Sequence, residues 1–136
     1  MDKDIRYTAH CAYVLHYHLV WIPRYRKPVL NDQVAASLHD LVDAIARQYH
    51  IDVVACEILP DHVHLFVSAP PKYAPADLAR VFNGSTSRRL MQAFPHLRQV
   101  SWGTRAALWA EGYYVGTAGH VRAETITRYI EENQGR

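Results

Sequence analysis

The sequence predicts an α+β fold of the ferredoxin-like kind: a βαββαβ antiparallel sheet with helices on one face, followed by a C-terminal helix. Three observations predict it. Strand-like and helix-like segments follow one another in the order β-α-β-β-α-β-α, whose first six elements are those of the split βαβ arrangement. Two of the strands are separated only by Pro60-Asp61, a hairpin-length turn. The chain has 136 residues, enough for one domain with its own core, so residues 1–136 are read as a single domain.

Residues 12–22 (AYVLHYHLVWI) are rich in aromatic and β-branched types and read as a strand ended by Pro23. A basic loop, 24–28, follows. Asn31 or Asp32 can cap a helix. Val34, Leu38, Leu41, Val42, Ile45 and Tyr49 then recur at spacings of three and four, which is one apolar helical face. Residues 51–59 alternate as a strand does, and 62–69 form the next strand, stopped by Pro70-Pro71. Pro75 and Asp77 open a second helix that carries Leu78, Val81, Phe82, Leu90 and Met91 inward, and Pro95 closes it. Asn83-Gly84-Ser85 is a candidate interruption of that helix. Residues 96–107 read as irregular, 113–117 as the last strand, and 122–133 as a short helix with Ile126 and Ile130 facing inward.

Composition excludes several classes. Apolar residues make up 49% and charged residues 21%, which is globular and excludes a disordered chain or a collagen. Two cysteines, Cys11 and Cys56, exclude a disulfide scaffold and a four-cysteine zinc site. The longest apolar runs fall far short of the ~20 residues that cross a bilayer. No apolar signal core follows the charged first residues, so a cytoplasmic protein without membrane partners is expected. The surplus lies in 9 histidines and 9 tyrosines. The net charge is only +2, yet no acid stands between Asp77 and Glu111, where five arginines do: Arg80, Arg88, Arg89, Arg98 and Arg105. A second basic cluster is Arg24, Arg26 and Lys27.

Residues two apart on a strand face the same way. His62 and His64 therefore share a face, with Cα atoms about 6.5–7 Å apart, and two imidazoles can converge on one ion while Val63 enters the core. The alternative is a pair of half-buried, hydrogen-bonded histidines. His16 and His18 repeat the spacing on the first strand. Tyr17 between them is the poorer core residue because its hydroxyl needs a partner, so the second pair is favoured as the metal pair. His16 and His18 are expected in hydrogen-bonded or nucleic-acid-contacting positions.

Tyr129 lies beside the apolar stripe of the last helix. It is either a boundary residue or a nucleophile whose phenol needs activation. Asn133, one turn on, offers a carboxamide oxygen suited to Mg²⁺ or Mn²⁺. Arg80, Arg88 and Arg89, with the polar run 83–87, read either as a solvated helical face or as a surface for backbone phosphates.

Four blocks now stand in order: YHLVWIPRYRKPVL (17–30), EILPDHVHLFVSAPP (57–71), FNGSTSRRLMQAFPHL (82–97) and LWAEGYYVGTAGHVRAETITRYIEENQ (108–134). Together they resemble the single-tyrosine HUH transposases, small enzymes of insertion sequences that move as single-stranded DNA. The resemblance implies the ferredoxin-like fold and a strand-cleaving and strand-rejoining enzyme. It implies a divalent metal, Mg²⁺ or Mn²⁺, held by His62 and His64, with Tyr129 as nucleophile forming a 5′-phosphotyrosine. It further implies single-stranded DNA with subterminal hairpins as partner. A homodimer is also implied, in which the tyrosine helix of one subunit can complete the histidine site of the other. Arg24, Arg26, Lys27, Arg80, Arg88 and Arg89 are the expected DNA-backbone contacts. The family's third ligand is usually a glutamine four residues after the tyrosine. Here that position is Asn133, with Gln134 next, and Asn133 is preferred. The competing reading is a non-catalytic or decayed hairpin-binding module, used as an RRM-like sheet is.

Overall fold

A computed structural model describes residues 5–100, 107–117 and 131. It contains a two-stranded ribbon, β1 (Arg6–Tyr7) with β2 (Ala12–Tyr13), and a four-stranded sheet. The sheet is built from β3 (His16–Trp21), β4 (Asp52–Leu59), β5 (His62–Ser68) and β6 (Tyr114–Thr117), in the order β4-β5-β3-β6. Every pairing is antiparallel. Helix α1 (Asp32–Gln48) joins β3 to β4, and α2 (Pro75–Ala93) joins β5 to the segment leading to β6. This is the ferredoxin-like arrangement the element order predicts. Residues 122–133, expected to be helical, lie outside the described residues except for Glu131, which is helical.

The hairpin expected across Pro60-Asp61 is present, with Leu59 opposite His62 and Glu57 opposite His64. Of the two caps the sequence offers for α1, Asn31 serves: its Oδ1 accepts from the Val34 N–H at 3.0 Å. Helix α1 then buries Val34, Leu38, Val42 and Ile45. Asp77 accepts from the Ala74 N–H at 2.9 Å and satisfies a donor at the start of α2. Both helices pack on one face of the sheet. Leu19, Trp21, Val63, Leu65 and Val67 from the strands meet Leu38, Val42, Leu78, Phe82 and Leu90 from the helices, all fully buried.

Three expectations are corrected. Residues 12–22 are not one strand. The partner β5 ends at Ser68, ahead of Pro70-Pro71, and prolines offer no N–H to extend the ladder. Ala12 and Tyr13 therefore turn away and pair with Tyr7 and Arg6. The ribbon is tied back by Arg6 Nε to Asp52 Oδ2 at 3.0 Å. Second, Asn83-Gly84-Ser85 does not break α2. Phe82, Thr86 and Leu90 on its inner face are buried, and that anchoring outweighs the ~1 kcal/mol cost of a helical glycine. Third, Tyr17 is a core residue after all, 9% exposed beside Leu19 and Trp21. Part of the segment read as irregular is a 3-10 helix, Pro95–Val100.

The opposite face of the sheet carries no helix among the described residues. Register and alternation place His16, His18 and Val20 of β3 there, with His62, His64 and Phe66 of β5, Ala55 and Glu57 of β4, and Tyr114 and Gly116 of β6. Among the described residues no helix is long and apolar enough to cross a membrane.

Candidate active site

Both histidine pairs lie on this face, opposite α1 and α2, on neighbouring strands. The direct cross-strand pairs are His18 with Phe66 and Val20 with His64. His18 therefore sits diagonally from His64, within reach of a ring. Its Nδ1 is 3.1 Å from His64 Nε2. One imidazole donates and the other accepts, so the contact needs at least one neutral ring. Burial lowers the pKa of both: for His18 the His64 ring adds to the effect, while for His64 the nearby Glu57 opposes it and His62 adds to it. Neutral imidazole is also the form that ligates a metal. The expectation that His18 is hydrogen-bonded is met. His16 is buried and stacks on Phe66 with centroids 5.4 Å apart, and His18 stacks on the same ring at 4.2 Å.

His62 stands one pleat along β5, next to the turn. Its Nδ1 is 3.0 Å from Asp61 Oδ1, and Asp61 Oδ2 accepts from Arg26 Nε at 2.9 Å. Burial raises the Asp61 pKa, but hydrogen bonds from Arg26 and His62 outweigh it and hold the carboxyl below its ordinary range. A shallow cavity of about 170 Å³ lined by Ala55, Glu57, His64 and Phe66 opens beside the pair.

The donor set is compatible with a divalent metal but incomplete. His62 and His64 project from one strand face, and each spends one ring nitrogen on a protein partner. Among the described residues no group of three or more His, Cys, Asp or Glu side chains could hold a metal ion. The expected third ligand, Asn133, its neighbour Gln134 and the expected nucleophile, Tyr129, lie outside the described residues.

The basic residues divide. Arg26 turns inward onto Asp61. Lys27 Nζ lies 5.8 Å from the centroid of the Tyr25 ring. Arg24 Nε is buried without a hydrogen-bond partner among the described residues. Arg80 is exposed and ion-paired to Asp77. Arg88 and Arg89 are exposed and line an open concavity of about 620 Å³ with Gln92 and Ala93. Helix α2 packs on the far face of the sheet, so its arginines are not brought to the histidines. The polar run beside them also points elsewhere than expected. Thr86 is fully buried, and its Oγ1 accepts from Trp109 Nε1 at 3.0 Å, while Ser87 Oγ accepts from the Leu108 N–H at 3.1 Å.

Two partners of the histidines escape a reading of the sequence, His18 for His64 and the Arg26–Asp61 pair for His62. Asp61 was readable as a neighbour of His62. The contacts of His18 and Arg26 span 46 and 35 residues, and only strand register creates them.

Comparison with known proteins adds the following. Residues 11–133 match the family model described as "Transposase IS200 like". The chain is 38% identical over 120 residues to the ISDra2 transposase TnpA of Deinococcus radiodurans, covering 88% of this chain and 84% of the relative. It is 26% identical over 128 residues to the transposase for insertion sequence element IS200 of Salmonella typhimurium, covering 94% and 82%. A crystal structure of a Deinococcus radiodurans R1 protein assigned as a transposase superposes with TM-score 0.87 at 37% identity, over 96% of this chain and 99% of that one. A REP-associated tyrosine transposase bound to a REP hairpin shares the fold, with TM-score 0.55 at 12% identity over 94% and 67% of the two chains.

Proposed function

The chain belongs to the IS200-like transposase family, and from that premise we propose that it cleaves and rejoins single-stranded DNA at insertion-sequence ends through a covalent tyrosine intermediate. The observation that carries the reading is the pair His62 and His64 on the face of the sheet opposite α1 and α2, each with one ring nitrogen held by a protein partner. His62, His64 and Asn133 would hold the metal. When bound there, Mg²⁺ or Mn²⁺ would polarise the scissile phosphate and offset the charge that develops on it.

The Tyr129 oxygen attacks phosphorus in line, and the bond from phosphorus to the 3′-oxygen breaks. The phenol proton passes to solvent or a base, and the leaving 3′-oxygen takes up a proton. The products are a 5′-phosphotyrosine and a free 3′-hydroxyl. The reverse attack by a new 3′-hydroxyl rejoins strands and releases the tyrosine, so no nucleotide hydrolysis is required. This agrees with the lack of a GxxxxGK[ST] loop in the sequence. Among the expected DNA contacts Arg80, Arg88 and Arg89 are exposed, and Arg88 and Arg89, beside the open concavity, are the foremost candidates for the DNA backbone. The DNA partner carries subterminal hairpins, a reading supported by the hairpin bound to the REP-associated relative.

The test is incubation with a single-stranded oligonucleotide carrying the element's end and Mg²⁺ or Mn²⁺. The wild-type protein forms a covalent adduct, Tyr129→Phe forms none, and His64→Ala loses cleavage while retaining hairpin binding. An adduct that persists in Tyr129→Phe would move the nucleophile elsewhere. Hairpin binding by the wild type with no cleavage under any divalent metal would favour the decayed binding module.

A further inference from the structure

The β4–β5 turn and the loop after β3 meet in a chain of contacts that ends on His62. Asp61, in the turn, accepts from Arg26 Nε on one carboxylate oxygen at 2.9 Å and faces His62 Nδ1 with the other at 3.0 Å. An ionised carboxylate only accepts hydrogen bonds. The proton on His62 must therefore sit on Nδ1, which leaves the Nε2 lone pair for a ligand. The loop that delivers Arg26 is held in an uncommon shape: Tyr25 (φ 60) and Arg26 (φ 49) both occupy the left-handed region. Non-glycine residues stay there only where the surroundings over-determine them. The surroundings here do so. Arg26 N donates to Pro23 O at 2.9 Å, Arg24 N to Leu108 O at 2.8 Å, and Leu30 N to Pro60 O at 3.1 Å. The last of these ties the loop to the residue next to Asp61.

We infer that Asp61 is a positioning residue that fixes the tautomer and ring orientation of His62, and that Arg26 serves to hold Asp61 rather than to grip the DNA backbone. The inference rests on the reading of His62 as a metal ligand. Histidine ligands commonly donate their second N–H to a carboxylate, which fixes the tautomer and raises basicity. The three side chains are mutually consistent with that role. All are partly buried, with side-chain exposures of 31% for Arg26, 27% for Asp61 and 17% for His62, so solvent competes only weakly for their contacts.

The test uses the full-length protein in two measurements. The first is the His62 tautomer, read by long-range ¹H–¹⁵N NMR in the metal-free protein at about pH 8. Wild type shows the Nδ1–H form. Asp61→Ala loses that preference, and Asp61→Asn, which keeps an acceptor oxygen and the side-chain shape, retains much of it. The second is Mn²⁺ affinity by electron paramagnetic resonance, expected to fall by about 10–100-fold in Asp61→Ala, with partial rescue in Asp61→Asn. Arg26→Gln is expected to lower Mn²⁺ affinity while leaving the salt dependence of hairpin binding unchanged. Arg88→Ala reduces that slope by about one.

An unchanged His62 tautomer in a folded Asp61→Ala protein would overturn the inference. So would an Arg26→Gln protein with normal Mn²⁺ affinity and a salt slope reduced like that of Arg88→Ala. If wild type binds no Mn²⁺ yet Asp61→Ala still shifts the tautomer, the positioning role stands and the metal reading of the site falls.

Discussion

At the scale of the residue, chemistry follows from where a side chain's polar atoms end. His18, His62 and His64 are the same residue type with different work, because one meets an imidazole, one a carboxylate, and one both a histidine and a cavity. The two cysteines differ in the same way. Cys56 points to the core side of β4, opposite Leu65. Burial first, and the Asp43 carboxylate second, push its thiol up to about 11. Only about one Cys56 in a thousand would then be a thiolate at pH 8, and the thiolate is the nucleophile. Cys11 lies in the turn of the small ribbon, outside the sheet. Iodoacetamide followed by mass spectrometry should label Cys11 first at pH 8. Cys56 should react appreciably only as the pH approaches its pKa, because its thiol is neutral below it. Equal labelling of both at pH 8 would contradict the burial of Cys56.

At the scale of the element, α2 shows how little a local pattern says about which face works. Its polar run reads as a solvated or DNA-facing stripe, yet Thr86 is at 0% exposure and joins the helix to the segment before β6. Thr86 Oγ1 donates to Phe82 O at 2.6 Å and accepts from Trp109 Nε1 at 3.0 Å. Thr86→Val keeps the shape and removes the acceptor, leaving a buried indole N–H unsatisfied. Urea unfolding should show a loss of about 1–3 kcal/mol. A loss within a few tenths of a kcal/mol would mean that the indole finds another acceptor. Helices α1 and α2 were otherwise readable, because caps and spacing are local signals. The break in the first strand was not, since it depends on where the partner β5 runs out of N–H groups.

At the scale of the whole molecule, the sheet divides two surfaces. Helices cover one face, and α2 displays Arg88 and Arg89 on that side. The histidines occupy the other. The homodimer with a shared site, which the family resemblance implies, makes a sharp prediction. Neither Tyr129→Phe nor His64→Ala homodimers cleave, but a mixed dimer of the two should recover up to half of wild-type cleavage. In it, one site combines His64 from one subunit with Tyr129 from the other. No recovery in a verified mixed dimer would place the tyrosine helix on its own subunit's histidines.

The sequence by itself determined the order of the elements from β3 to β6, the helix starts near Asn31 and Pro75, the hairpin across Pro60-Asp61 and the shared face of His62 and His64. These all follow from local periodicity and from residues that punctuate the chain. Four ordered blocks also carried the family. The tertiary structure alone decided that His16 and His18 share the face of His62 and His64. It alone decided that Tyr17 enters the core, and that Arg26 belongs to Asp61. The physical reason is common to all three. Side-chain partners 35 and 46 residues apart are chosen by strand register and loop shape, and these are settled by burial across the entire sheet rather than by any local run of residues.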